Sequence, residues 1–409
     1  MFPFPLFVAC CLLIWSPAMG RTLFYELSGA SLLLLLVGLW RGHLQYDKKI
    51  WLWLAPLLAY LAILQAWLWR FPSPISIDLN PVHFRYSYQL KLWLCSLPML
   101  LLPVLWPAPR GWKWPRPWLL AGLWCVSIAL SVALLWVRIQ TDSGVPRVTL
   151  NGIVETLMAF LLVPFHLLPL LLTLRGRLRG WQWGALLCIV LLQFGSVAVT
   201  GTRAAMIAYP LAVAAIAVWR YGWRGLLGVG VALSLGLTLA GGEIVRRAAD
   251  AKTDLHQYEQ GQMKTSLGIR FSLWSFGWQA LQERPSGQSL QARDDLMKEL
   301  VVEKRIDPAA LGMRTVHLHN DTLEIGSTLG WPGVVGWFAL LLGFILYAWR
   351  RRGAWVPLIA LSLGGMFYFG LVDSILFNWQ AHMQILLLIV ISFYLAPLLD
   401  SDGWAGEAR

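Results

Sequence analysis

Apolar runs separated by short polar connections recur along almost the whole chain. Many of them reach roughly 20 residues, which is enough for a helix to cross about 30 Å of hydrocarbon. We therefore expect an all-α integral membrane protein. The pattern predicts about twelve transmembrane helices, near residues 3–20, 24–40, 50–69, 92–109, 117–137, 152–174, 182–199, 203–219, 225–243, 323–349, 354–374 and 379–398.

The connection over residues 243–320 is long, polar and periodic, unlike the others. Within it, RRAADAKTDLHQYEQGQMK, SLGIRFSLWSFGWQALQE and RDDLMKELVVEKR each read as a helix. Such periodicity argues against disorder, and connections of this length are commonly functional. We expect transmembrane helices 1–9 over residues 1–242, a helical extracytoplasmic subdomain over 243–322, and helices 10–12 with a short cytoplasmic tail over 323–409.

Composition and charge support this class. Hydrophobic residues make up 58% of the chain and charged residues 13%, whereas about 25% is usual for soluble domains. The net charge of +12 comes from clusters in alternate connections, as in RGHLQYDKK and RGRLRG. Such clusters predict cytoplasmic loops rather than a nucleic-acid-binding face, so both termini would lie in the cytoplasm and the long connection would face outward.

The first apolar run and the cysteines each allow a second interpretation. The run ends in SPAMG, which resembles a signal-peptide cleavage site, but it lacks a basic start and is interpreted as the first transmembrane helix. All five cysteines fall within apolar runs, so neither a disulfide framework nor a CxxC site is expected.

Two histidines end the long connection, in the sequence HLHNDTLE. Asp321 and Glu324 resemble a capping box, so the next helix is expected to begin there. The helix terminus would favour anions and keep the imidazole of His319 neutral, which would allow it to act as a general base. Two plainer interpretations stay open. His317 and His319 could bind a metal, although the spacing offers no third ligand, or they could be interfacial or structural.

Arg203 lies in TGTRAAMIAYP, at the outward end of the eighth predicted span. A cation is disfavoured there both by the positive-inside preference and by the helix dipole. Thr200 and Thr202 are candidate caps for this helix. Arg203 is either an interface anchor whose charged end reaches water or a residue whose cost is offset by an anionic partner.

Arg270 belongs to a predicted helix in the long connection, where it shares one face with Trp274, Trp278 and Leu281. It could simply cap that helix while the tryptophans pack. However, Arg203, Arg270 and Arg314 all fall on the side of the membrane predicted for His319. Because a guanidinium group binds phosphate bidentately and keeps its charge, these residues indicate a site for a phosphate-bearing lipid. The chain contains neither a Walker A motif nor GxGxxG.

The motif His319-Asn320, nine residues, then Gly330-Trp331-Pro332-Gly333 resembles the signature of the O-antigen ligase and polymerase superfamily of bacterial envelope glycan assembly. The segments TGTRAAMIA and RFSLWSFGWQA precede it in the order found in that family. The resemblance covers about Val199 to Gly336, and the first 180 residues agree in topology only. It implies a GT-C-like glycosyltransferase architecture with a large periplasmic loop.

The resemblance also implies a function. Such a protein in the bacterial inner membrane would transfer a glycan from undecaprenyl diphosphate to lipid A–core oligosaccharide at the periplasmic face, in lipopolysaccharide biosynthesis. His319 would be the base, and Arg203 and Arg270 would hold the diphosphate in an inverting reaction without a metal or other cofactor. The residues expected to bind substrates are Asn320, Arg314, His317, Lys264 and Trp274.

Other functions stay open. An O-antigen polymerase or a ligase that glycosylates protein would share the donor site and differ in the acceptor. A transporter of a lipid-linked sugar would need charged residues deep within several spans, and this chain offers few of them: Glu155, His166, Asp373 and His382. A purely structural protein would not explain the outward arginines.

Overall fold

A computed structural model describes residues 3–72, 77–106, 116–141, 149–150, 155–174, 176, 178–260, 265–313 and 317–400. Arg314 and Lys264 lie outside these residues. Over the described ranges the regular secondary structure is entirely helical. The α-helices are α1 (Pro3–Trp15), α2 (Pro17–Trp40), α3 (Trp51–Arg70), α4 (Asn80–Leu105), α5 (Arg116–Gln140), α6 (Glu155–Thr173), α7 (Gly180–Val199), α8 (Arg203–Tyr221), α9 (Trp223–Glu259), α10 (Ser266–Glu283), α11 (Leu290–Val302), α12 (Asp321–Arg351), α13 (Trp355–Val372) and α14 (Trp379–Asp400).

The expected all-α membrane architecture is confirmed. Within the described ranges, nine helices are long and apolar enough to cross a membrane, and two shorter apolar helices cover Phe4–Trp15 and Leu157–Thr173. Together with the apolar first part of α9, these helices account for the predicted spans. The three-part division of the chain stays a prediction, although its first boundary falls inside α9 rather than in a loop.

Two helix boundaries differ from the predicted ones. The break between α1 and α2 falls at Ser16, because Pro17 suits the first turn of a helix but cannot continue one. α4 begins at Asn80 rather than near residue 92. Its first turns are polar, so hydropathy detects only the part that follows. This polar beginning brings α4 to the end of the bundle that carries α10 and α11, here called the subdomain end.

The transmembrane core is centred on α3, α4, α12 and α14. Trp53 of α3 stacks on Phe344 of α12, with ring centroids 5.6 Å apart. Gly343 allows this approach, because a Cβ atom there would collide with the carbonyl oxygen of Leu52. α14 is largely buried, and its Phe393 meets both Trp53 and Phe344. The helix that follows the histidine motif is therefore packed in the interior of the bundle.

The subdomain has a small core of its own. Thr265 and Ser289 cap α10 and α11, each accepting a backbone N–H hydrogen bond in the first turn. The two helices and a 3₁₀ segment (Pro308–Met313) enclose a cluster made of Leu273, Phe276, Ala280, Leu296, Met297, Leu300, Ile306, Ala310 and Leu318. The buried face of α10 is thus offset from the predicted one, since Trp278 is exposed.

A kink in α12 receives the turn that joins α10 to α11. Gly330 has φ 67°, a conformation that favours glycine, and a Cβ atom there would collide with Pro285 and Gly287. The backbone N–H of Trp331 donates to the carbonyl oxygen of Pro285 at 2.9 Å. The first glycine of the G-x-x-G motif therefore serves to dock the subdomain onto the bundle.

Candidate active site

His319 lies immediately before the N-cap of α12, in a left-handed backbone conformation with φ 52°. Its Nδ1 is 3.0 Å from Oδ1 of Asp373, the residue that ends α13. The two side chains are 19% and 14% exposed, so the pair is sheltered but reachable. A carboxylate facing Nδ1 holds a proton on that nitrogen. The lone pair of a neutral His319 is then on Nε2, the atom available to a substrate.

His317 packs beside His319, with ring centroids 4.3 Å apart. Its Nδ1 accepts the backbone N–H of His319 at 3.3 Å. Burial lowers the pKa of His317 to about 4, despite the opposing effect of Asp373. For Asp373, burial raises the pKa, but the hydrogen bond with His319 and the electrostatic interactions with both histidines outweigh it, so the pKa is lowered. At neutral pH, therefore, His317 is neutral and Asp373 is ionised.

These three side chains could also hold a metal ion, since ligand atoms of His317, His319 and Asp373 all lie within 4.8 Å of one another. The absence of a third ligand, inferred from local spacing, is therefore wrong. Asp373 comes from 54 residues further along the chain than His319, where spacing arguments do not reach. Two imidazoles and one carboxylate suit first-row transition metals. The expectation of a metal-independent reaction stays a prediction.

Glu324 lies at the centre of a buried polar network. The guanidinium of Arg293 donates two hydrogen bonds to its carboxylate, at 3.0 and 3.1 Å, with both side chains buried. The backbone N–H of Leu318 donates to Oε2 of Glu324 at 2.8 Å, and the hydroxyl of Tyr86 donates to Oε1 at 3.3 Å. The predicted capping box is wrong. Asn320 caps α12 by accepting the Leu323 N–H, which leaves Glu324 to pair with Arg293.

The histidine segment is thus fixed on both sides. The side chain of Leu318 is buried in the subdomain core, while its backbone bonds to Glu324. Trp274 donates its indole N–H to the carbonyl oxygen of His319 at 3.2 Å. The amide of Asn320 donates to the carbonyl oxygen of Leu371, so both polar atoms of this side chain are engaged. The substrate contacts expected of Trp274 and Asn320 stay predictions.

Arg203 begins α8 and lies 3.1 Å from the carboxylate of Asp254 on α9. The two side chains are 31% and 18% exposed. Asp254 therefore supplies, from within the protein, an anion that offsets the cost of a cation at a helix N-terminus. Thr202 occupies the N-cap position but makes no side-chain capping bond.

Arg270 lies on α10, half-buried, one turn before Trp274. A chain of aromatic contacts joins its neighbourhood to that of Arg203. Tyr258, one turn beyond Asp254 on α9, meets Phe271 with ring centroids 5.0 Å apart, and Phe271 meets Trp274 at 5.7 Å. Arg203 is therefore connected to His319 through α9, which carries Asp254, and α10, which carries Arg270.

The residues that sequence reasoning missed are mainly those that hold the site in place. The sequence suggests Asp373 only as a transport residue and Glu324 only as a cap, and it suggests no role for Arg293 or Arg85. Arg85 lies in the first part of α4 and adds positive charge near His317. A usable signal existed, because a charged residue beside an apolar run is costly and calls for a partner.

Comparisons with known proteins point to one protein family. Residues 186–338 match the protein family described as O-antigen ligase. Arg203, Arg270, Arg293, His319 and Glu324 all fall within the matched residues, whereas Asp373 lies beyond them. A segment of 149 residues is 30% identical to an O-antigen ligase of Escherichia coli (strain K12).

That alignment covers 36% of this chain and 34% of the relative, so the chain matches about a third of the length of the relative. Over residues 186–338 the chain is similar to the O-antigen ligase family.

Proposed function

We propose that the protein is a glycosyltransferase that moves a glycan from undecaprenyl diphosphate to lipid A–core oligosaccharide. The observation that carries this proposal is the hydrogen bond between His319 and Asp373. It equips the histidine of the family motif as a base at the end of the molecule where Arg203 and Arg270 lie. The basic connections would face the cytoplasm, which puts this end at the periplasmic face of the inner membrane.

In the proposed reaction, Nε2 of His319 takes the proton of an acceptor sugar hydroxyl. The resulting oxygen nucleophile attacks the anomeric carbon of the donor, and the bond to the diphosphate breaks on the opposite face, which inverts the anomeric configuration. Asp373 stabilises the imidazolium that forms, as a carboxylate does when it orients a histidine base. The proton then leaves His319 for water or for the released undecaprenyl diphosphate.

Arg203 and Arg270 would bind the diphosphate and neutralise the charge that grows on it as it leaves. Arg203 has an internal partner in Asp254, so the donor would share or replace that contact. This arrangement keeps an exposed cation from binding other anions when no donor is present.

The test is transfer by purified protein in detergent, with an undecaprenyl-diphosphate glycan, lipid A–core and EDTA, comparing wild type with His319→Ala. We expect product from the wild type alone. Lengthening of the glycan on its own carrier, without use of lipid A–core, would instead identify a polymerase. A requirement for added metal would overturn the metal-free mechanism. Absence of product from well-folded wild type would overturn the proposal and favour lipid-linked sugar transport.

A further inference from the structure

Two cations at the subdomain end lie outside the site described above. Arg21 is in the first part of α2, and Lys91 lies where the polar beginning of α4 gives way to the apolar run LWLCSLPMLLLPVL. Both side chains are exposed. Within the described part of the chain neither forms an ion pair; each instead lies over an aromatic ring. Arg21 Cζ is 5.5 Å from the ring centroid of Trp379, and Lys91 Nζ is 4.7 Å from that of Tyr25.

The aromatic residues form a continuous frame for these cations. The hydroxyl of Tyr25 donates to that of Tyr88 at 3.0 Å, which joins α2 to α4. We call Arg21, Tyr25, Tyr88, Lys91 and Trp379 the cation–aromatic patch. A ring restricts where a cation can lie but leaves its N–H groups free to bind an anion. Glu26 follows Tyr25 along α2 and is exposed, but it is not paired with either cation.

Among the described residues, the contacts of the patch lead to the His319–Asp373 pair rather than to Arg203 and Arg270. Tyr86, between the patch and the beginning of α4, reaches Glu324 and packs on Phe377 at 4.8 Å. Phe377 lies in the short connection between Asp373 and Trp379. The patch therefore shares α4 and this connection with the His319–Asp373 pair, whereas Arg203 and Arg270 lie on α8 and α10.

We propose that the cation–aromatic patch docks a phosphate group on the headgroup of the acceptor lipid, an inference that rests on the proposed function. Both cations lie at the level where their helices become apolar, which is where a lipid headgroup lies. Cations on the outward side oppose the positive-inside preference, so an anionic ligand gives them a role. The donor diphosphate already has Arg203 and Arg270, which leaves the second substrate for the patch.

The test is steady-state transfer by Arg21→Gln/Lys91→Gln in nanodiscs of neutral lipid. We expect the KM for phosphorylated lipid A–core to rise about tenfold, equivalent to about 1.4 kcal/mol, with kcat and the KM for the donor unchanged. When the acceptor is dephosphorylated enzymatically, the KM of the wild type should rise to the value that the variant shows with the phosphorylated acceptor. The KM of the variant should not rise further. The matched control is Arg41→Gln/Lys48→Gln, which removes the same total charge. Arg41 ends α2 at the opposite end of the bundle, and Lys48 lies between α2 and α3.

Three kinetic results would overturn the inference: an unchanged acceptor KM, a raised donor KM, or a rise in acceptor KM that is seen only when phosphatidylglycerol is added to the nanodiscs. Native mass spectrometry of phosphorylated lipid A–core bound to the full chain gives a readout that does not need transfer. If wild type transfers nothing, the proposed function fails. The patch is then judged by whether Arg21→Gln/Lys91→Gln loses this binding while the control keeps it.

Discussion

The two sides of the candidate site are built differently. On the histidine side, Leu318 is fixed by its backbone and its side chain, and Glu324 is buried with several hydrogen-bond partners. On the arginine side, Arg203 is 31% exposed and has one carboxylate partner in Asp254. A base must be held in a fixed geometry relative to the bond it helps to form, whereas a diphosphate brings its own charge and can replace an existing anion. The comparison shows where the molecule can tolerate change.

The largest effect is expected from His319→Ala, because a general base contributes about 10²–10⁴-fold to rate. Transfer should fall by that range while the protein stays folded, as judged by its unfolding midpoint. His256→Ala, an exposed histidine on α9, is the control and should be fully active. Equal activity of both variants would show that His319 is not the base.

The next effect separates the two sides by stability. Glu324→Gln leaves Arg293 buried with an uncharged partner, and breaking a buried pair costs about 3–5 kcal/mol. Asp254→Asn breaks a partly exposed pair, worth about 0–1 kcal/mol. Denaturant or thermal unfolding should therefore show a large loss for Glu324→Gln and almost none for Asp254→Asn. The control is Glu299→Gln, at an exposed position on α11. Similar losses of stability for Glu324→Gln and Asp254→Asn would show that the two ion pairs do not differ in this way.

The arginine side should be sensitive to shape as well as to charge. Arg203→Lys and Arg270→Lys keep the charge but lose the planar fork. Loss of a charge-assisted hydrogen bond worth about 1.5–3 kcal/mol should lower kcat/KM about 10–100-fold. Exposed Arg224→Lys, at the far end of the bundle, should be neutral. Wild-type turnover in the two site variants would remove the diphosphate-clamp argument.

The last effect concerns pH. The pKa of His317 is lowered from 6.5 to about 4, so between these values the unfolded chain binds more protons than the folded one. Stability should therefore fall as pH drops from about 6.5 towards 4. His317→Gln should flatten this part of the curve of unfolding midpoint against pH. A slope that persists unchanged in the variant would show that His317 is not the group responsible.

The two sides also differ in how much of each could be predicted from the sequence. Arg203, Arg270 and His319 could be found because each stands in a local motif, and the spans followed from hydropathy alone. Asp373 could not be assigned to His319, because no periodicity relates residues on different helices. Glu324 was misassigned for the opposite reason, since its spacing fits a local motif that Asn320 and Arg293 override. Hydropathy does not predict that α9 continues past its apolar residues, because a helix can extend beyond the part of it that is apolar.

The continuity of α9 connects the bilayer to the candidate site. α9 runs for 37 residues without a break, or about 55 Å at 1.5 Å per residue, well beyond the roughly 30 Å of a hydrocarbon core. Its first part is apolar, and its second part carries Asp254, the partner of Arg203. Because α9 is long, a tilt imposed by a thinner or thicker bilayer would displace its far end and with it that carboxylate. Bilayer thickness would thereby affect the proposed diphosphate site.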